Sequence, residues 1–415
     1  MKNIYLTNIY FNKKKKSKNK LIIFAVFLLI IGILLIGTNN RIVSADNEDK
    51  TLEEQLSESI ENQLEKFDFN SFQESLDNLN SQQKSIFGSD SFLTKVKKLI
   101  KGEGFDDGFN IFNVILELFF EGIVDFIPLL ASVVGIAIVS SFMTQIKPSG
   151  VSFKSLGDII HFVCYSVIII LVITSCISVF KNASSTITSI KTQMELIFPI
   201  LLTIITAIGG ANTSAVYQPS VLFLTNGIVH IFTGILLPIF IFIMIFNIIS
   251  NISSNVKLDK FTSFFTSIFK WILGIVFTVF IAFLSLQGIT ASSIDGISIK
   301  TAKYAIKSYI PLLGGYLSDG FNVILASSVL IKNAIGTAGL LLVASLIIGP
   351  IVKILVLSLS LKLTSAILEP LTDNRISNFL YGIAKSLTLL IVCILGIAFM
   401  YIITVGLIML TLNGV

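Results

Sequence analysis

Charged and hydrogen-bonding side chains set inside long apolar runs are the residues of this chain best placed to do chemistry. In hydrocarbon a polar side chain is costly unless it faces protein or water, so each such position asks for a reason. Asn226, His230 and Thr233 recur at i, i+4 and i+7, one face of a helix. His230 there has the chemistry of a proton carrier; the plainer reading is a neutral imidazole hydrogen-bonded to a neighbouring helix. Ser358, Lys362, Ser365 and Glu369 follow at i, i+4, i+7 and i+11. That stripe is expected to face a cavity or another subunit, and Lys362 can reach Glu369 only through relaxed side chains or water. Lys332 and Asn333 interrupt a further apolar stretch, where a lysine near a span end would snorkel to the interface.

Other chemistry is hard to build from this chain. It has two histidines, His161 and His230, and lacks the Gly-rich phosphate loop, the HExxH zinc pair and the GxSxG nucleophile turn. The three cysteines (Cys164, Cys176, Cys393) all sit in apolar stretches without CxxC spacing, so they read as small hydrophobes rather than disulfides or a metal site. No enzyme activity, cofactor or metal is expected, and any ATP-driven step would need a separate subunit.

The elements that must hold these residues follow from composition. The 415 residues are 53% hydrophobic and only 13% charged, with a mean hydropathy of +0.87. A soluble chain carries about 25% charged residues, so lipid must cover part of this one. The formal charge of +5 misleads, because eight bases and no acid precede residue 46. Without those eight, 22 bases face 25 acids, a net of −3. The mature chain therefore lacks the basic patch that nucleic-acid binding needs.

Residues 1–20 are basic, Leu21 to Gly37 is an uncharged apolar run, and Val43-Ser44-Ala45 puts small residues before acidic Asp46. Together these read as a signal peptide over 1–45, cleaved between Ala45 and Asp46. An uncleaved anchor is the alternative; in both cases residue 46 onward starts outside the cytoplasm. Residues 46–109 form an acidic extracytoplasmic segment, with fifteen acids against seven lysines up to residue 107. Leu52, Leu56, Ile60, Leu64 and Phe67 carry a helical period, and Phe69 to Leu79 and Phe92 to Ile100 carry more. Residues 110–125 read as an amphipathic interfacial helix, with Asn113, Glu117 and Glu121 on one face and Leu116, Phe119, Phe120, Ile123 and Val124 on the other.

From 126 to 415 the chain reads as an all-α, polytopic helical membrane domain of seven to eight spans. The runs lie at 126–146, 159–180, 194–211, 219–250, 270–290, 326–349, 351–369 and 379–412. The long fourth run is expected to tilt or kink at Pro238. With residue 46 outside, loops 144–158 and 291–325 fall on the cytoplasmic side with their lysines, but loop 251–269, carrying Lys257 and Lys260, falls outside. One misassigned span would account for that. Small residues cluster at Gly209-Gly210-Ala211 and from Ala334 to Gly339, where helices can approach closely or break.

Several of these segments form an ordered pattern. Gly209-Gly210-Ala211-Asn212-Thr213-Ser214-Ala215 leads to Gln218-Pro219. A second begins at Gly288-Ile289-Thr290-Ala291, continues through Lys300-Thr301-Ala302-Lys303-Tyr304-Ala305, Ile310-Pro311 and Gly314-Gly315, and passes Ser318-Asp319 to reach Ser327 through Gly339. Over about residues 110–411 the chain resembles the stage III sporulation protein AE family of endospore-forming bacteria. The resemblance implies a multi-pass component of a channel complex in the mother-cell membrane around the forespore, needed for forespore development after engulfment. It implies partners too: a separate cytoplasmic ATPase, ring-forming proteins of the intermembrane space, and membrane lipid. It supplies no catalytic residues. A stand-alone transporter for a small solute or ion is the alternative; no inverted repeat is visible to support it. An intramembrane enzyme is more remote, since no nucleophile–base pair is legible.

Overall fold

The computed structural model describes residues 49–79, 81–103, 111–145, 154–252, 258–288, 291–309, 314–372 and 374–412. By its contacts the chain divides between Leu52 and Glu53, and the helical bundle belongs to the unit Glu53–Val415. The described residues are helical with no strand among them, and six helices are long and apolar enough to cross a membrane. The all-α polytopic fold expected from composition is the one observed. The expected signal peptide, with Ala45 and Asp46, lies outside the described residues.

Four short helices come first: α1 (Asp49–Leu64), α2 (Asn70–Asp77), α3 (Ser81–Phe87) and α4 (Phe92–Ile100). Their apolar faces meet one another, with the Phe72 and Phe92 rings stacked at 4.4 Å and Phe87 and Val96 fully buried. Ser91 caps α4 by accepting the Thr94 N–H, and Lys98 pairs with Asp90 at 2.9 Å. The module does not stand alone, because α3 and α4 pack on the long helix Gly314–Leu368. That contact supplies the core that so few residues cannot build for themselves.

The long helices come next: α5 (Ile111–Gln145), α6 (Lys154–Ala207), and a rod made of α7 (Ala211–Leu222), a π turn (Phe223–Ile228), α8 (Val229–Ile231), a second π turn (Phe232–Leu236) and α9 (Leu237–Ile252). Then come α10 (Asp259–Gly288), α11 (Ala291–Tyr309), α12 (Gly314–Leu368) and α13 (Asn374–Leu410). The antiparallel pair α12 and α13 is the axis of the bundle; α5 and α6 cover one side of α12, and α9 packs on α13.

Three expectations change. Residues 111–125 are not a separate interfacial helix, since α5 runs unbroken into the span. The run 159–180 and residues 194–207 of the next lie on the single helix α6, and 326–349 and 351–368 on the single helix α12. Prolines 199 and 350 sit inside these helices without ending them. A proline inside a helix leaves the carbonyl four residues earlier without its usual N–H donor. Pro350 frees the carbonyl of Leu346, which accepts from Gln83 Nε2 of α3 at 3.4 Å. Third, the rod is wound by two π turns ahead of Pro238, where the sequence predicts a proline kink.

Merging the runs turns over the connectivity. Gln145, Ile252, Leu258 and Leu371 now mark one end of the bundle: Ser141 donates to Leu371 O at 2.6 Å, Ser250 to Asp259 at 2.6 Å, and Tyr165 to Ile248 O at 3.2 Å. Loop 251–269 thereby joins the end that holds the 144–158 connection, and the conflict in charge asymmetry at that loop disappears. In exchange, α11 with Lys300, Lys303 and Lys307 moves to the opposite end of the bundle, packed on α7 and α12.

At 1.5 Å per residue, α6 and α12 are each about 80 Å long, against a hydrocarbon layer of about 30 Å. The outward surface of α6 shows where the layer ends. From Ile159 to Ile177 its exposed residues include Phe162, Val163, Val167 and Ile170. From Lys181 onward the exposed positions are Lys181, Asn182, Ser185, Thr188, Thr192, Glu195, Pro199, Thr203, Thr206 and Ala207. On α12 the exposed leucines 355, 359 and 363 occupy the membrane half, while Ser327 to Ile354 has no exposed residue and is enclosed by protein. Along α6 the molecule thus has a lipid-facing storey and, beyond it, a second storey whose α6 surface is polar outside, although Phe112, Leu116 and Phe120 of α5 and Leu222 of α7 stay exposed there.

Candidate functional site

The far end of the second storey gathers the residues with the most specific geometry. Helix α6 closes in a Schellman turn: Gly209 N–H bonds to Thr206 O at 3.1 Å and Gly210 N–H to Ile205 O at 2.8 Å. Gly209 has φ +95°, which glycine adopts without penalty. A Cβ on Gly210 would lie 2.6 Å from Leu412 Cδ1 and 2.9 Å from the Ile205 carbonyl oxygen, so only glycine fits.

The chain then re-enters helix α7 with no cap from its own side chains. The acceptor comes from α11. Asp295, 1% exposed, takes the N–H of Thr213 at 2.7 Å, the N–H of Asn212 at 3.3 Å and the Asn212 side-chain amide at 2.9 Å. Burial on its own pushes the Asp295 carboxyl up, but the donors of Thr213 and Asn212 together outweigh it and hold the group below the ordinary carboxylate range. A carboxylate at a helix N-terminus also meets the positive end of the helix dipole.

A buried lysine sits at the opposite kind of helix end. Lys332, fully buried on α12, donates from its side-chain nitrogen to the carbonyl of Thr411, just past the last turn of α13. Cations are favoured at helix C-termini, where carbonyls lack partners. Leu412 follows in the left-handed region at φ 60° and closes over Gly210. Asp295 and Lys332 therefore cap α7 and α13 on either side of one packed corner.

Small residues bring α12 close to its neighbours. A Cβ on Gly336 would sit 2.5 Å from Met409 Sδ, and one on Gly339 would sit 2.0 Å from Ile197 Cδ1 and 2.7 Å from the Tyr401 hydroxyl. Here the close-approach role expected of the 334–339 cluster is the geometry observed. The Gly209-Gly210 pair is instead a helix-reversing turn.

The remaining polar candidates divide. Ser358 donates to Ala384 O at 2.7 Å, and Ser365 to Ser377 O at 2.8 Å while Ser377 returns a bond to Ser365 O at 3.0 Å. These two tie α12 to α13 of the same chain, rather than facing the cavity or other subunit expected from the sequence. Lys362 is half-buried, Glu369 is exposed, and no ion pair joins them. Asn333 is near Lys332, with a buried side-chain oxygen lacking a hydrogen-bond partner. Asn226 and His230 are exposed, and Thr233 bonds within its own helix to Val229 O at 3.0 Å. The π turns widen the helix there, and the structure leaves His230 on the outer surface rather than against another helix of this chain.

No pattern in the sequence singles out Asp295. Its signal is indirect: a helix starting at Gly210-Ala211 has no cap of its own and needs an acceptor from elsewhere.

The corner unites residues of the segments 209–215, 291–305 and 327–339, which carried the resemblance. The family model for stage III sporulation protein AE matches residues 91–411. The chain belongs to the stage III sporulation protein AE family. Stage III sporulation protein AE of Bacillus subtilis (strain 168) is 24% identical over 257 residues, 62% of this chain and 64% of that protein, so the match spans less than two thirds of the relative's length. No solved structure matches. The family region starts at the cap of α4, earlier than residue 110, and so includes the helix of the N-terminal module that docks on α12. Membership in this family carries a role in sporulation for this multi-pass membrane protein.

Proposed function

We propose that this protein is a non-catalytic membrane component of a channel complex joining mother cell and forespore, required for forespore development after engulfment. The observation that carries the reading is the second storey, seen together with family membership. Helices about 80 Å long reach some 40–50 Å beyond a hydrocarbon layer of about 30 Å, a distance suited to a gap between two membranes. The connection segments 146–158 and 253–260 hold Lys147, Lys154, Lys257 and Lys260. The positive-inside rule puts that end in the mother-cell cytoplasm, with the acidic N-terminal module and the Asp295–Lys332 corner in the intermembrane space. In this arrangement an ATPase acts from the cytoplasm as a separate protein, and ring-forming proteins meet the second storey.

Deletion of the gene tests the role. The expected result is engulfed forespores that fail to mature, restored by a copy in the mother cell and not by one expressed only in the forespore. Normal heat-resistant spores from the deletion strain would refute it.

A further inference from the structure

Three helices turn polar faces toward one cavity of about 600 Å³ inside the lipid-facing storey. Asn247 and Asn251, one turn apart on α9 and both buried, stand at its back, where α9 packs on both α10 and α13. Ser263, Ser267 and Lys270 recur at i, i+4 and i+7 along α10, and Asn378, Tyr381 and Lys385 at i, i+3 and i+7 along α13. These six are exposed.

Contacts with neighbouring helices fix the depth of this seam. Tyr165 meets the Phe379 ring at 5.5 Å, so the Asn378 end lies just inside Ile159, where the exposed apolar surface of α6 begins. Ser358 donates to Ala384 O, which puts Lys385 level with Leu359, a lipid-exposed residue of α12. Phe240 stacks on Phe180 at 5.8 Å, and antiparallel α10 passes Phe246 with Phe265 at 5.3 Å. Lys270 therefore reaches about the level of Phe180, beyond which the outer surface of α6 is polar. The seam thus crosses most of the hydrocarbon layer.

Charged groups exposed at this depth are unfavourable against lipid and belong beside water or protein. Neither Lys270 nor Lys385 has an ion pair or a hydrogen-bond acceptor among the described residues. A second copy of the chain meeting this face with its own would oppose lysine to lysine, which disfavours that cover. Water remains. The hydroxyls of Thr266, Ser267 and Ser386 donate to carbonyls of their own helices, so the lysines set the character of the wall. Among the described residues the wall carries one carboxylate, Asp259 at the end of the bundle, and it already accepts from Ser250 at 2.6 Å. Lysines lining a wet path favour anions.

We propose that the α9–α10–α13 seam is a water-filled path for small anions through the lipid-facing storey, with Lys385 and Lys270 as its successive charged stations. Such a path rests on the channel reading above and adds the charge of what passes.

Paired thiol reagents test it on the full-length protein in phosphatidylcholine nanodiscs, with Cys164, Cys176 and Cys393 replaced by alanine; the gene deletion reads the sporulation role separately. Ser267→Cys and Asn378→Cys should react with an anionic, membrane-impermeant methanethiosulfonate several-fold faster than with a cationic one, relative to the same ratio at Thr188→Cys. Phe264→Cys, exposed on α10 outside the cavity, should react with neither. Lys270→Gln combined with Lys385→Gln should erase the preference and keep the reaction. Lys385→Gln alone should reduce the preference, which preserves the test if the double variant does not fold. Cavity cysteines as inert as Phe264→Cys would overturn the proposal, as would a preference that survives loss of the lysines. Reaction that is lost when phosphatidylglycerol is added to the nanodiscs would assign the lysines to a lipid phosphate and overturn it too.

Discussion

The two halves of α6 belong to one unbroken helix and pack equally well on their inner side, yet they present opposite surfaces outward. Tyr165, Ile168 and Val172 are buried in the first half as completely as Ile190, Ile197 and Leu201 are in the second. Outside, Phe162, Val167 and Ile170 give way to Ser185, Thr188, Thr192 and Thr203. Hydropathy along the chain does not register this change, because a helix enclosed by protein is as apolar as one facing lipid. Only the exposed third of the helix distinguishes the two solvents.

The largest effect expected from this contrast is all-or-none. In a background with Cys164, Cys176 and Cys393 replaced by alanine, cysteines at Thr188 and Thr203 should react with a membrane-impermeant maleimide. Cysteines at Val167 and Leu359 should not. Equal protection at all four positions would return the second storey to the bilayer.

Next in size is steric. Gly339→Val drives methyl groups into Ile197 and Tyr401, which approach from two different helices, and should destabilise the second storey by about 3 kcal/mol. A thermal melt of the purified protein reads it. The same change at Gly135 on α5, where a Cβ would meet nothing within 4 Å, should be tolerated.

The capping corner gives an effect of similar order with a pH signature. Asp295→Ala leaves the Asn212 and Thr213 donors without their acceptor and should cost about 2–3 kcal/mol, while Asp295→Asn keeps part of the bonding and should cost about 1. The folded-state pKa of Asp295 lies below its unfolded value. Its contribution is therefore fully present above the unfolded value of about 4, and is lost as pH falls through the lower folded value. Melting temperatures of the native protein and of Asp295→Asn should accordingly converge in acid. A gap that stays constant down to about pH 2 would show that Asp295 does not titrate in this range.

The smallest effect is expected at Gln83→Ala. It removes the long bond to Leu346 O that compensates for Pro350, at about 1 kcal/mol, and should speed hydrogen exchange or proteolysis in α2–α4 before it changes global stability. A Pro350→Ala change restores the missing N–H within α12 and should reduce the penalty of Gln83→Ala. Additive effects would separate the two residues.

Much of the fold is legible in the sequence because helical period and apolarity are local. The 3.6-residue recurrence of Leu56, Ile60 and Leu64 and the continuous runs after residue 126 announce helices whatever they pack against. Ser358 and Ser365 are legible for the same reason: spacing alone puts them on one face. Span number is not, because the polar stretch 181–193 and Pro350 look like breaks in one dimension, whereas α6 continues with a polar outer surface and Gln83 satisfies the carbonyl that Pro350 frees. His230 is misplaced by its spacing because π turns change the period that assigns a face.

Read without its fold, the chain is already a helical membrane protein, with its helical stretches marked and its family given by ordered segments. These follow from transfer energies and periodicities summed along the chain. Packing in three dimensions sets where α6 and α12 leave the membrane, that Lys332 caps α13 rather than snorkelling, and that Asp295 of α11 completes the start of α7. Each depends on what a distant segment brings alongside: Asp295 meets Asn212 and Thr213 across more than eighty residues, and no local pattern records that meeting.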